Sequence, residues 1–206
     1  MEARCRGLGA ARYFDGGVMV TPQLVGTEAA FVVLSGESEA AFREERIGDD
    51  HEDGLLRPVG RTLYVAEDAG AASLFDCAAL AAMYGMFAGA FTGMGLLKRK
   101  RGAKDGEKVK IADSVNKVMV PVLTALVPYV SLLAEQIDQE RWMDSLGNPL
   151  AMQLAGVKNI AQSCEEEGVD GSALKSLYEG MEKGVKEGYG DGGLGVVSKY
   201  FLKEGN

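Results

Sequence analysis

The longest uncharged stretch of the chain limits what it can fold into. The 21 residues from Cys77 to Leu97 carry no charge, and Asp76 is the single charged residue of segment 69–97. Alanine, leucine and methionine are abundant in this segment, and these residues favour helix. Because a helix that is apolar on every side has to be buried on every side, we predict one long buried helix over 69–97, at a subunit interface of a soluble protein.

A membrane-spanning helix is the alternative for the same stretch. Gly85, Gly89 and Gly93 lie on nearly one helix face, which would let another helix approach closely. Segments 77–97 and 118–134 would then be two spans joined by a basic cytoplasmic loop. Against this, about half of 77–97 is glycine or alanine, and the second run of 17 residues holds two prolines. We therefore predict no membrane association.

Composition excludes several classes of function. The 206 residues include 22 Lys+Arg and 30 Asp+Glu, a net charge of -8 that disfavours nucleic-acid binding. A single histidine, His51, excludes a multi-histidine metal site. Cys5, Cys77 and Cys164 are too far apart for a zinc motif or a disulfide framework. We therefore expect no metal site. Since the start of the chain has no apolar signal segment, we also expect a cytoplasmic location with reduced thiols.

The pattern of the chain changes near residue 68. Before it, three segments have the apolar, β-branched character of short strands; these are Tyr13–Val20, Ala30–Leu34 and Thr62–Val65. One segment, Glu37–Arg46, has the pattern of a helix. After it, helical periodicity prevails. We predict a mainly α protein, with a small α/β part over 1–68 and an all-helical domain over 69–206. The α/β part is small for a complete domain of its class.

Further helices are expected in the second half. One is predicted from about Ile111 to Gln139, with kinks at Pro121 and Pro128. Asn148 as N-cap and Pro149 in the first turn predict the start of another helix, which runs to about Glu166. A third begins near Asp170, where the apolar residues recur at helical spacing; these are Leu174, Leu177, Tyr178, Met181 and Val185.

Few residues suggest chemistry by themselves. Gly7–Arg12 reads G-x-G-x-x-R, but no predicted strand precedes it, so it is a poor dinucleotide fingerprint. Asp76 is a lone carboxylate at the start of a long apolar stretch, where it either reaches water or serves a site. Tyr84 lies eight residues later on the same predicted helix, so both side chains could line one cleft at different heights.

Four stretches together resemble the imine reductases and fungal reductive aminases of the β-hydroxyacid dehydrogenase superfamily. The main one is EDAGAASLFDCAALAAMYGMFAG, which begins at Glu67. The others, in matching order, are YFDGGVMVTPQLVG from Tyr13, PVLTALVP from Pro121, and LAMQLA from Leu150 with Asn159-Ile160. The resemblance covers roughly residues 13–200.

The resemblance implies a fold, a reaction and a set of site residues. Members have an NADPH-binding Rossmann domain, a long interdomain helix and a 6-phosphogluconate dehydrogenase-like helical domain exchanged between two subunits of a homodimer. They transfer a hydride from NADPH to a C=N carbon, starting from an imine or from a ketone plus an amine. By motif position, the catalytic residues would be Asp76, near the substrate nitrogen, and Tyr84, which would orient the substrate. The substrate pocket would be shaped by Val122, Met152 and Gln153. The nicotinamide would lie near Met19, Val20 and Thr21.

The chain also departs from the family pattern. Only 75 residues precede Asp76, whereas the family's glycine-rich cofactor fingerprint lies much further before this helix. We therefore expect the first βαβ units to be absent, so that the chain alone would bind NADPH weakly and have little or no activity. Val122 and Thr92 stand where many members have a tryptophan and a histidine. The alternative is a helical dimerisation module without chemistry, which pairs with itself or with a full-length paralogue.

Overall fold

The chain folds into a mainly helical structure with one small sheet, as predicted. The computed structural model describes residues 1–48, 52–99 and 109–202, so His51 and most of the basic loop at 98–110 lie outside it. The chain divides into two compact units, Met1–Tyr84 and Gly85–Asn206. The predicted domain boundary at 68/69 stays a prediction.

The first unit is built on a three-stranded sheet. Its strands are β1 (Asp15–Val18), β2 (Phe31–Ser35) and β3 (Arg61–Ala66), in the order β1-β2-β3. β1 runs antiparallel to β2, whereas β3 runs parallel to it. The short helix α2 (Glu39–Glu44) connects the two parallel strands. All three predicted strands and the predicted helix between them are confirmed.

The middle strand forms the core of the first unit. Val32, Val33 and Leu34 are each at most 5% exposed, because β2 has a strand on both sides and Val32 and Leu34 pack in an apolar cluster. Phe42 of α2 packs against this strand, and its ring lies 5.8 Å from that of Tyr64. The continuous apolar run in β2 is the sequence signature of such a strand.

An N-terminal helix, α1 (Glu2–Gly7), was not predicted. None of its residues is buried, so no apolar stripe marks this segment as a helix. The side chain of Glu37 connects this segment to the sheet, since its carboxylate accepts hydrogen bonds from the Tyr13 backbone N–H (2.9 Å) and from Arg6. The hydrogen bond from Tyr13, followed by that from Arg6, lowers the pKa of Glu37 below its usual value.

Two long helices are strongly apolar. α3 (Ala71–Lys98) confirms the predicted helix over 69–97, and the helical segment Ala112–Asp138 confirms the one predicted at 111–139. The latter consists of α4 (Ala112–Ser114), a π-helical turn and α5 (Val120–Asp138). The π-helical turn ends at Met119, two residues before Pro121, whose missing N–H would otherwise donate to an earlier carbonyl. Pro128 lies inside α5.

The chain itself does not cover these two helices. Ala72 and Thr92 of α3 are buried, but large apolar side chains along both helices are exposed by 36% or more. Examples are Phe91 and Val130, which are 67% and 65% exposed. Both helices are also long and apolar enough to cross a membrane, a test that core helices of soluble proteins pass as well. We expected α3 to be buried on every side, but within this single chain it is not.

The second unit has a separate core. It is formed by α6 (Leu150–Glu167), α7 (Lys175–Gly184) and a 3₁₀ segment over Leu194–Tyr200. Its buried residues are Leu150, Leu154, Met181, Val196 and Val197. The predicted apolar stripe of the third helix is confirmed, because Met181 is 2% exposed and Leu177, Tyr178 and Val185 pack against the same core.

The start of α6 differs from the prediction. Its N-cap is Pro149 rather than Asn148, and no side chain caps the helix. Instead, the backbone N–H groups of Leu150 and Ala151 donate to the carbonyls of Gly192 and Gly190, both at 2.9 Å. The orphan donors at the helix start are thus satisfied by a backbone segment some forty residues away, a contact that local sequence does not encode.

Gln136 joins three backbone segments of the second unit. Its side chain is fully buried, yet its amide donates to the carbonyls of Arg141 (3.1 Å) and Asp144 and accepts from the N–H of Gly195 (2.8 Å). Glycine is required at 195 because a Cβ there would collide with the Gln136 amide. All polar groups of this buried amide are therefore used.

We predict that Gln136→Ala lowers the free energy of unfolding by about 3 kcal/mol, because it leaves buried backbone groups unpaired and opens a cavity. Urea unfolding, followed by circular dichroism and by the fluorescence of Trp142, measures this. Gln162→Ala is the matched control. Its amide bonds only the exposed Glu166 in what the structure records, so a change within about 0.5 kcal/mol is expected. Equal effects of the two variants would contradict the role of Gln136.

Candidate functional site

A groove in the first unit brings together residues from β1, the segment after it and the first four turns of α3. Its volume is about 410 Å³. We call it the β1–α3 groove, and it is lined by Val18, Met19, Val20, Thr21, Leu24, Asp76, Ala79, Leu80 and Met83. Apart from Asp76 and Thr21, the lining side chains are apolar. The groove can therefore hold an apolar group close to one carboxylate.

Asp76 is the one ionisable side chain among the residues that line this groove. It lies in the second turn of α3 and is half-buried. A carboxylate near a helix N-terminus is stabilised by the helix dipole. Its position among apolar side chains suits an electrostatic role toward a cation, because low polarity strengthens such an interaction.

The start of α3 is bonded to the sheet. The backbone N–H of Ala72 donates to Oγ of Ser35 at 3.0 Å, and Oγ of Ser73 donates to Oδ2 of Asp15 at 2.7 Å. Asp76 follows one turn after Ala72. Gly17 of β1 lies beside it, because a Cβ built at Gly17 would be 3.6 Å from the Asp76 Cβ.

The three residues predicted near a nicotinamide line the groove with Asp76. Met19 is anchored to the sheet by its backbone N–H, which donates to the Phe31 carbonyl at 2.8 Å. Thr21 is the N-cap of a 3₁₀ turn over Pro22–Leu24, which begins four residues after β1 ends at Val18. Met19 and Val20 are half-buried and Thr21 is exposed. These three consecutive residues therefore line the same groove as Asp76, which lies 55 positions later in the chain. Their place near a nicotinamide stays a prediction.

Tyr84 does not line the β1–α3 groove, although the sequence suggested that it could line one cleft with Asp76 at a different height. It is 63% exposed and lies eight residues later on α3. Eight residues also place Tyr84 about 80° round the helix from Asp76, so it lies off the helix face that Ala79, Leu80 and Met83 present to the groove. Its predicted role in orienting a substrate stays a prediction.

The other three predicted pocket residues belong to the second unit. Val122 on α5 is 52% exposed and Met152 on α6 is 63% exposed. Gln153 is half-buried, and its amide donates to the Asn148 carbonyl at 2.7 Å. That hydrogen bond fixes the side chain against the start of α6. The roles of these three residues in a substrate pocket also stay predictions.

Sequence reasoning missed several residues of the groove. Ala79, Leu80 and Met83 follow Asp76 at i+3, i+4 and i+7, so they share its helix face. This spacing could have identified them once Asp76 was singled out. Leu24 could not have been found in this way, because the turn after β1 brings it to the groove.

Thr92 has a structural role in the second unit. It is 7% exposed, and its hydroxyl is 3.2 Å from the Asp170 carbonyl and 3.4 Å from that of Ala88. Its hydroxyl thus bonds α3 to the segment before α7. In residues 1–48, 52–99 and 109–202, no group of three or more His, Cys, Asp or Glu side chains could hold a metal ion.

Comparison with known proteins identifies the family. The family model described as NADPH-dependent reductive aminase-like, C-terminal domain, matches residues 68–203. The chain belongs to this reductive aminase-like family. An NADPH-dependent reductive aminase from Aspergillus oryzae is 34% identical over 191 residues, which are 93% of this chain and 60% of that protein. The chain therefore spans less than two thirds of this curated relative.

Solved structures agree with the assignment. A reductive aminase from Aspergillus terreus, in complex with NADPH4, cyclohexanone and allyl amine, has a TM-score of 0.80 at 30% identity. The match covers 98% of this chain and 64% of that one. An imine reductase from the same species, in complex with NADPH4 and dibenz[c,e]azepine, has a TM-score of 0.78 at 31% identity, over 97% and 64% of the two chains. The reductive aminase-like fold thus extends over nearly the whole of this chain.

The space around Gly17 yields a prediction for this reductive aminase-like chain. We expect Gly17→Ala to leave the free energy of unfolding unchanged or to raise it by up to about 1 kcal/mol, because its Cβ would make ordinary contacts at 3.6–3.8 Å. Gly16→Ala is the matched comparison, since its Cβ would lie 2.7 Å from Leu34 Cδ2 and 3.1 Å from the Val33 carbonyl. It should cost about 1–2 kcal/mol in chemical denaturation. A reversed order would contradict the packing beside Asp76.

Proposed function

We propose that this chain forms the substrate side of an NADPH-dependent site that reduces C=N bonds. The observation that carries this proposal is the β1–α3 groove, where the carboxylate of Asp76 lies among Met19, Val20 and Thr21. Membership of the reductive aminase-like family and the activities named for its Aspergillus relatives support the proposed reaction. The substrate would be an imine, or a ketone together with an amine.

The groove fits one end of NADPH better than the other. Its apolar wall, with Val18, Val20 and Leu24, can pack against a flat nicotinamide ring. A pyrophosphate needs donors or cations, but the ionisable group of this groove is a carboxylate, which repels it. Gly7–Arg12 does not supply a fingerprint, because it follows helix α1 and precedes β1, the reverse of the strand-to-helix order. We therefore expect this chain alone to bind NADPH weakly.

Bound NADPH would supply the hydride, and the protein would supply charge and orientation. The carboxylate of Asp76 would stabilise the positive charge of an iminium nitrogen or pass a proton to the product amine. Tyr84 would hydrogen-bond the substrate, and Val122, Met152 and Gln153 would shape the pocket. Leu80 and Met83 would hold apolar substituents of the substrate and exclude water from the groove.

We also propose that the chain forms a homodimer through α3 and the helical segment Ala112–Asp138. Support comes from their exposed apolar side chains, whose contact with water is unfavourable. A second copy offers the same apolar surface, as a two-fold interface requires. This observation equally favours the second candidate function, a dimerisation module without catalytic activity. A cytoplasmic location and the absence of membrane association are expected with either function.

Asp76→Asn tests the catalytic proposal. We expect it to lower the rate of NADPH oxidation with cyclohexanone and allyl amine by about 100-fold, because the amide carries no charge and transfers no proton. The rate is followed by absorbance at 340 nm, at high NADPH concentration. Asp113→Asn is the control, since this exposed carboxylate does not line the groove and pairs with Lys117 one turn later in the segment Ala112–Asp138. Full activity of Asp76→Asn would contradict the catalytic role, and a folded wild-type chain that gives no turnover even at saturating NADPH would favour the dimerisation module.

Val130→Glu tests the dimer. Light scattering of the wild-type chain at micromolar concentration, without detergent, should give twice the chain mass of 21.9 kDa. A buried, unpaired glutamate is costly, so Val130→Glu should shift the mass toward that of one chain. Met143→Glu, at a residue 59% exposed outside these helices, should remain dimeric. A monomeric wild-type chain would contradict the proposal, and a chain that needs detergent would favour the membrane alternative.

A further inference from the structure

Two side chains of the sheet hold two successive residues of α3. Asp15 of β1 and Ser35 of β2 are directly paired across the strands. Oγ of Ser35 accepts the Ala72 N–H at 3.0 Å, and Oδ2 of Asp15 accepts the Ser73 hydroxyl at 2.7 Å. We call this pair the Asp15–Ser35 clamp. The Ser35 side chain and Ala72 are both 0% exposed, so water does not replace this hydrogen bond easily.

The clamp and Asp76 lie along the same line of contact between α3 and the sheet. Asp76 follows Ala72 at i+4, so the two share a helix face about 6 Å apart. Gly17 follows Asp15 at i+2, so the two share a face of β1 about 6.7 Å apart. The spacing from Ala72 to Asp76 along α3 nearly equals the spacing from Asp15 to Gly17 along β1. Asp76 therefore lies beside Gly17, and a Cβ built at Gly17 would be 3.6 Å from the Asp76 Cβ.

We propose that Asp15 and Ser35 are positioning residues for Asp76. Each residue of an α-helix turns it by about 100°, so a slip of α3 by one residue would take the Asp76 carboxylate out of the groove. Two hydrogen bonds to successive residues, one to the backbone and one to a side chain, fix both the height and the rotation of the helix. The value of this position for catalysis rests on the proposed function, whereas the position itself does not.

Nuclear magnetic resonance of the chain tests the clamp without an activity assay. Ser35→Ala should raise amide hydrogen exchange over residues 72–76 by about 10-fold or more and shift the ¹³C resonance of the Asp76 carboxyl group. Asp15→Ala should shift the same resonance. Asp15→Asn should restore it toward the wild-type value, because the amide oxygen can still accept the Ser73 hydroxyl.

Ser38→Ala is the matched control. Its Oγ also accepts a helix N–H, that of Ala41 at 3.2 Å, but it caps α2 rather than α3. It should destabilise the unit without changing the Asp76 resonance or the exchange over 72–76. The proposal is overturned if Ser35→Ala and Asp15→Ala leave both signals at wild-type values, or if Ser38→Ala changes them equally.

The test separates the clamp from the proposed function. If removing the clamp changes the Asp76 resonance, the positioning role of Asp15 and Ser35 is supported even when Asp76→Asn keeps full turnover. In that case only the proposed function fails. Should Ser35→Ala not fold, the comparison of Asp15→Ala with Asp15→Asn decides, because the bond between Asp15 and Ser73 is exposed and its loss is mild.

Discussion

Apolar surface without cover is the constraint on which the rest of this structure depends. α3 and α5 are long, nearly uncharged and exposed within the single chain. Their backbone groups are satisfied within the helices, so the helices can form, but their side chains gain little from burial. The two compact units have small cores of their own. Most of the hydrophobic stabilisation that this sequence can offer therefore depends on what covers these helices.

Local pattern predicted most of the elements, since their signals lie within a few residues. The apolar run of β2 is long enough to require burial on both faces, and the stripe from Leu174 to Val185 fits one side of a helix. Asp76 was a candidate site residue because it is the single charge in segment 69–97. Met19, Val20 and Thr21 were candidates through the resemblance to the family. These four residues share a groove because β1 and α3 meet at Gly17.

Other features depend on contacts between distant parts of the chain, which one sequence does not show. Asn148 has the residue type of an N-cap, yet α6 starts later because the carbonyls of Gly190 and Gly192 already accept its first N–H groups. Likewise, Leu24 lines the groove because the turn after β1 brings it there, which no local pattern indicates. Helical periodicity gives the face of a residue, but not how far a neighbouring segment extends along it.

The buried amide of Gln136 has a consequence for the order in which the chain folds. It accepts the N–H of Gly195, a residue 59 positions later in the chain. During synthesis, the C-terminal end of α5 therefore leaves the ribosome well before its last hydrogen-bond partner exists. A contact of such high sequence separation forms late, since the intervening loop has to close first. This end of α5 should mature only together with the last segment of the chain, although most of the helix is made much earlier.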